Sequence, residues 1–205
     1  MKNINLTLLT DYYELTMMYG YFKKQMTKTR SVFDLFFRAN SESNYCIAAG
    51  LEQAVQYIEN LRFEKEQLDY LRSTKDFDED FLAYLENFRF SGDIYALEEG
   101  TVVFPGEPLM IVKAPIIEAQ LMESALLNIV NFQTLIATKA SRVAYVAQPG
   151  QVSEFGLRRA QGPDAGIYGA RAAMIGGCQA SSNVLTGQLF GVPVGGTHAH
   201  SWVMS

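Results

Sequence analysis

The sequence predicts an α/β protein in two parts: an N-terminal α+β domain with a long connecting helix over residues 1–147, and the start of a parallel β-α-β arrangement over residues 148–205. Three observations carry that division. Residues 116–147, IIEAQLMESALLNIVNFQTLIATKASRVAYVA, keep helical apolar periodicity throughout, as one bent helix or two. Eleven of the 16 glycines lie between Gly150 and Gly196. Within that glycine-rich part, short apolar runs alternate with helix-length segments, the rhythm of a parallel sheet or barrel.

Each element has its own signal. Leu15, Met18, Tyr19 and Phe22 fall at helical spacing behind Asp11, which predicts a first helix in DYYELTMMYGYFKK with Asp11 as its cap. VFDLFF reads as a buried strand. Leu51, Ala54, Val55 and Ile58 repeat the i, i+3, i+4, i+7 pattern, and KEQLDYLRS and DEDFLAYLENF read as two further short helices. GTVVFPGEPLMIVKAP splits β-branched residues with Pro105 and Gly106, which predicts a small hairpin turning there. Beyond Gly150 short apolar runs alternate with helix-length segments through QVSEFGLRR, YGARAAMIGGCQA, SSNVLTGQLFG and VPVGGTHAH, a β-α-β rhythm with glycines at the strand ends.

Composition narrows the function. Lys and Arg number 17 against 22 acidic residues, a net charge of -5, which argues against a nucleic-acid footprint and leaves any anionic ligand to local groups. The first residues, MKNINLTLLTDYYE, have neither a signal-peptide pattern nor a membrane-length apolar run, so a soluble, cytoplasmic protein is expected. Cys46 and Cys178 match no metal or redox spacing and read as buried free thiols.

In a parallel sheet, ligands sit at the carboxyl ends of the strands. Three stretches fall there. EFGLRRAQGPDAG offers Phe155, Arg158 and Arg159, able to stack a flat ring and grip an anion, or else to supply a core ring and two solvated arginines. In QASSNVLTGQLFG, Ser181, Ser182 and Asn183 read as a helix cap or a phosphate cradle. GGTHAHS holds the only two histidines, His198 and His200, which face one side if the strand persists. Such a histidine serves as base, nucleophile or metal ligand, or is a hydrogen-bonded core residue; with no Cys, Asp or Glu nearby, a metal site is the poorer choice.

LLTDYYELTMMYGYF, ATKASRV, EFGLRRAQGPDAG and SSNVLTGQLFGVPVGGTHAHSWV, in this order, resemble nicotinate phosphoribosyltransferase of bacterial type. The resemblance implies an irregular type II phosphoribosyltransferase α/β barrel, of which this chain holds the first part. It implies the joining of nicotinate to phosphoribosyl pyrophosphate, giving nicotinate mononucleotide and pyrophosphate, the first step of NAD synthesis from nicotinate. ATP is the implied co-substrate, with Mg2+, through a phosphohistidine that matches His200. Implied for substrate binding are Phe155 and Tyr13, which sandwich the pyridine across a homodimer with a shared site, Arg158, which holds a carboxylate or phosphate, and Thr197 and Ser182. Lys139, Arg142 and Ser201 are carried as further pocket residues. Quinolinate phosphoribosyltransferase, similar in architecture but without the ATP requirement, is the alternative enzyme.

Members of that family continue past the histidine with the rest of the barrel, a 5-phosphate loop and further carboxylates, none of which these 205 residues contain. The expectation is therefore a truncated barrel, either completed by another polypeptide or an inactive fragment that folds or assembles without catalysis.

Overall fold

Helical periodicity in the first half of the chain translates into helices that each bury one stripe. The computed structural model describes residues 4–38 and 44–205. In chain order its main elements are α1 (Tyr12–Lys23), β1 (Arg30–Phe36), β2 (Cys46–Ile47), α2 (Leu51–Glu59), α3 (Lys65–Thr74), α4 (Glu79–Glu86), β3 (Asp93–Ala96), β4 (Val102–Val103) and β5 (Pro108–Pro115). There follow α5 (Ile116–Leu121), α6 (Glu123–Ala147), β6 (Ser153–Glu154), α7 (Pro163–Ile175), β7 (Ala180–Ser181), α8 (Val184–Phe190) and α9 (His200–Val203). The chain forms two compact units, Met1–Phe37 with Leu51–Leu97 and Gly106–Ile129, and Arg38–Gly50 with Glu98–Pro105 and Val130–Ser205. The linear boundary at 147/148 drawn from the texture of the sequence falls inside the second unit.

In the first unit, β1, β5 and β3 make an antiparallel sheet in the order β1-β5-β3. The strand expected from VFDLFF is present, but it is not buried. Val32 and Phe36 share one face of the pleat and both are exposed, while β5 buries Met110, Val112 and Ala114 on the other face of the sheet. Helix α1 buries Leu15 and Met18, two of the positions its periodicity selects. Asp11 stands at its N-cap position, yet its side chain makes no capping bond; its Oδ2 lies 2.8 Å from Ser124 Oγ. Helix α4 has a true cap, Asp78 Oδ1 accepting from Phe81 N at 3.0 Å, and the rings of Tyr19, Phe22, Phe77 and Phe81 cluster beside it, Tyr19 on Phe77 edge to face and the other pairs tilted.

The hairpin expected around Pro105 and Gly106 does not form. A turn is there, with Gly106 at φ +88, but β4 pairs with β2 and β5 pairs with β1 and β3. The Val102–Val103 run finds its partner more than 50 residues back along the chain, Val102 opposite Ile47 and Val103 opposite Cys46.

In the second unit, β2 lies against α6, where the Thr138 hydroxyl accepts from Ile47 N at 2.9 Å and Ile47, Ala49, Ala137 and Ala172 form a small-residue core. Helix α7 approaches α6 so closely that a Cβ on Gly176 would lie 2.3 Å from the Ala137 carbonyl oxygen. The expected parallel pairing is present: Ser153 aligns with Ala180 and Glu154 with Ser181, and a further parallel bridge joins Ser181 to Val194. The last expected strand stops at that bridge. Residues 195–199 are irregular and His200 opens α9, so the alternate-residue argument placing His198 and His200 on one strand face does not hold. A strand exists only where a neighbour takes up its backbone groups, and Gly195 and Gly196 weaken the tendency further.

Candidate functional site

Three parallel segments leave the small sheet at the same end. Backbone bonds fix the order: Ser182 N donates to Glu154 O at 3.0 Å, Ser181 N to Pro193 O at 3.0 Å, and Gly195 N to Ser181 O at 3.1 Å. Phe155, Ser182 and the Gly195–His198 stretch therefore emerge side by side, where a parallel sheet presents its ligand-binding residues. Phe155 is 50% exposed, and Arg158, in the 3-10 turn Leu157–Arg159, is exposed as well. Thr197, His198, His200 and Ser201 are exposed too.

Beneath them lies a buried polar floor. Glu154 Oε2 accepts from Ser181 Oγ at 2.7 Å, and Glu154 Oε1 accepts from Gly156 N, which bends the chain back after the strand. Asn183 caps α8, its side-chain oxygen accepting from Thr186 N at 3.4 Å while its amide nitrogen donates to Gly166 O at 3.0 Å. Asn183 thus acts as the cap that the sequence offered as one of two readings of this stretch. Glu154 was not singled out from sequence. Its signal was positional, an acidic residue where a strand gives way to a glycine turn.

The remaining candidates fall elsewhere. Lys139 is exposed on α6; Arg142, one turn on, lies over the Tyr45 ring at 5.3 Å and so already has an aromatic partner. Tyr13 belongs to the first unit, at the start of α1. Its ring is 47% exposed, and its hydroxyl donates to Glu123 Oε1 at 3.2 Å. Burial of the hydroxyl, with the nearby Glu123, Glu14 and Asp11 charges, pushes its pKa up to about 12. Next to it Glu14 is fully buried, and desolvation lifts its carboxyl to about 7 in spite of hydrogen bonds from Ser124. Cys46 and Cys178 are buried free thiols, as expected, and burial pushes Cys46 up to about 11.

Among the described residues no group of three or more His, Cys, Asp or Glu is arranged to hold a metal ion, and no helix is long and apolar enough to cross a membrane.

A family profile, the nicotinate phosphoribosyltransferase (NAPRTase) N-terminal domain, matches residues 8–131. Nicotinate phosphoribosyltransferase of Bacillus subtilis (strain 168) is 47% identical over 205 residues, which is 100% of this chain and 42% of that protein. The crystal structure of human nicotinic acid phosphoribosyltransferase superposes with a TM-score of 0.88 at 40% identity, covering 96% of this chain and 40% of that one. Nicotinate-nucleotide pyrophosphorylase from Pyrococcus furiosus, at 22% identity and a TM-score of 0.77 over 100% of this chain and 47% of that one, shares the fold. The chain thus spans about two fifths of the length of the curated relatives it matches.

Proposed function

Because this chain belongs to the nicotinate phosphoribosyltransferase family, we propose that it carries part of the machinery that joins nicotinate to phosphoribosyl pyrophosphate. The pyridine nitrogen attacks the anomeric carbon of the ribose, pyrophosphate leaves with the bond electrons, and nicotinate mononucleotide results. The observation that carries this reading is the shared strand end from which Phe155, Ser182 and the segment leading to His200 emerge. Phe155 gives a half-exposed ring for stacking a pyridine, Arg158 a guanidinium for an anionic group of the substrates, and Ser182 and Thr197 hydroxyls for hydrogen bonding. Lys139 and Ser201 are exposed enough to meet a phosphate or its water shell, whereas Arg142 would have to leave Tyr45 to do so.

His200 is proposed to take the γ-phosphoryl group of ATP. An imidazole nitrogen attacks the γ-phosphorus, ADP departs, and water later releases phosphate from the ring, which adds a transient dianion near the ribose site. Mg2+ enters this scheme as part of the pyrophosphate and nucleotide substrates. With the rest of the barrel supplied, incubation with γ-labelled ATP should give an acid-labile, base-stable phosphoryl group that His200→Ala removes and His198→Ala retains. Label surviving the loss of His200 would refute the assignment.

Tyr13 is proposed to close the pyridine site from a second copy of the chain, in a cytoplasmic homodimer. Tyr13→Ala and Phe155→Ala chains, each inactive, should regain activity on mixing because some sites then pair two intact rings. No recovery at any ratio would rule out sharing.

A further inference from the structure

Two neighbouring residues of α1 are tied to two neighbouring residues at the start of α6. Tyr13 Oη donates to Glu123 Oε1, and Glu14 Oε1 accepts from both the backbone N of Ser124, at 3.1 Å, and its hydroxyl, at 3.0 Å. Ser124 Oγ in turn accepts from Asp11 N at 3.3 Å and lies 2.8 Å from Asp11 Oδ2. Glu123 is itself held, its Oε2 accepting from Gln120 Nε2 at 2.9 Å. The phenol of Tyr13, the backbone before it and the side chain after it therefore converge on one helix terminus, while the ring between them stays open to solvent.

Glu14 is an expensive choice for this position. Its side chain is fully buried, and its Oε2, like the hydroxyl of buried Tyr57, has no hydrogen-bond partner among the described residues. Burying a charged oxygen without a partner is costly, because nothing replaces the water it gives up. A leucine would fill the space, and a glutamine would accept the same two bonds. What a carboxylate adds is a charge at the positive end of a 25-residue helix and bonds about twice as strong as neutral ones.

We propose that Glu14 is a positioning residue for the Tyr13 ring, which its carboxylate holds in place by clamping Ser124 at the start of α6. The inference rests on the reading above, in which Tyr13 stacks a pyridine. The clamp weakens on protonation, because a neutral carboxyl accepts less strongly. Of the titratable groups around it, the carboxyl groups of Glu123 on α6 and Asp11 at the start of α1 favour the proton on Glu14, whereas Tyr13 on α1 and Tyr57 on α2, whose own pKa values the Glu14 charge raises, stay neutral phenols as it titrates. Its titration near neutral pH therefore reports on the clamp.

The test places 3-fluorotyrosine at position 13 of the full chain and follows its fluorine resonance together with nicotinate binding between pH 5 and 9. The resonance should move with a midpoint near 7, and nicotinate affinity should rise about fivefold across the same step, the gain of a charge-assisted bond over a neutral one. Glu14→Gln should abolish the step and leave affinity flat at the weak end; in turnover assays KM for nicotinate should change and kcat should not. Ser124→Ala, which deletes only the hydroxyl, should move the midpoint upward, because that hydroxyl bond lowers the carboxyl's pKa. A step that persists in Glu14→Gln belongs to another group and overturns the proposal, as does a Tyr13 resonance that ignores pH in the unmodified chain. A step that behaves as described in a chain that does not bind nicotinate supports the clamp and refutes the function proposed for the site.

Discussion

Glu14→Gln should stabilise the chain at neutral and alkaline pH. In the folded protein, desolvation raises the Glu14 carboxyl from 4.5 to about 7. Between those values the folded state keeps a proton that the unfolded state releases, so stability falls as pH rises through the window and then levels off. At about 1.4 kcal/mol per pH unit, the interval corresponds to about 3 kcal/mol lost by the unmodified chain and retained by the variant. Glutamine keeps an oxygen to accept from Ser124 N and Oγ, so the comparison isolates the charge. Urea unfolding of both chains at half-unit steps from pH 4.5 to 8.5 measures the difference, and titrations common to both cancel. The gap should open steadily from pH 4.5 and flatten above 7. A gap that does not change with pH would show that Glu14 carries no buried charge, and a gap that closes with rising pH would reverse the sign of the argument.

Two further outcomes follow from the second unit. Arg171 and Glu99 form a mostly buried pair, Nη2 to Oε2 at 2.6 Å and Nη1 to Oε1 at 2.9 Å, so Arg171→Met should cost about 3 to 5 kcal/mol by removing the positive charge from beside the carboxylate, to which Gly50 N also donates at 2.6 Å. Adding Glu99→Gln should recover a measurable part of that loss in denaturant unfolding; no recovery would mean that packing of the arginine, not pairing, is what the site requires. Gly176→Ala places a Cβ 2.3 Å from the Ala137 carbonyl oxygen and 2.7 Å from Ala140 Cβ, neither of which is a flexible tip, and should cost about 1 to 3 kcal/mol in thermal or urea unfolding.

Local order was legible in the sequence and remote pairing was not. Helices α1 to α4 fall where the apolar spacing put them, because a helix closes its hydrogen bonds within itself. The stretch from Ile116 to Ala147 was readable as helical but open between one and two, and the break at Met122 makes it α5 and α6. Strands answer to partners elsewhere. Val102 and Val103 read as half of a hairpin because Pro105 and Gly106 stand beside them, and nothing local points to Cys46 and Ile47. VFDLFF contains enough apolar residues to seem buried on both faces, yet a three-stranded sheet covered on one side leaves Val32 and Phe36 exposed. The same reasoning explains Glu14. Between Tyr13 and Leu15 it has the spacing of an ordinary polar residue, and only the approach of Ser124, 110 residues away, shows that it faces inward.

The candidate site divides its work along the same line. Its floor, Ser181, Asn183 and Thr186, is buried and closed by hydrogen bonds to Glu154, Gly166 and Ile167. The residues suited to meeting substrates, Phe155, Arg158, Thr197 and His200, stand exposed above it. A group that must meet a ligand cannot be fixed by burial, so its accuracy has to come from the backbone that carries it, and that backbone is held by residues with no exposed chemistry. Motifs rich in reactive side chains advertise the first set to a reader of the sequence. The second set, serine, asparagine, threonine and one glutamate among glycines, looks like loop composition, and it becomes a support only when the parallel register brings residues 154, 181 and 194 into one row.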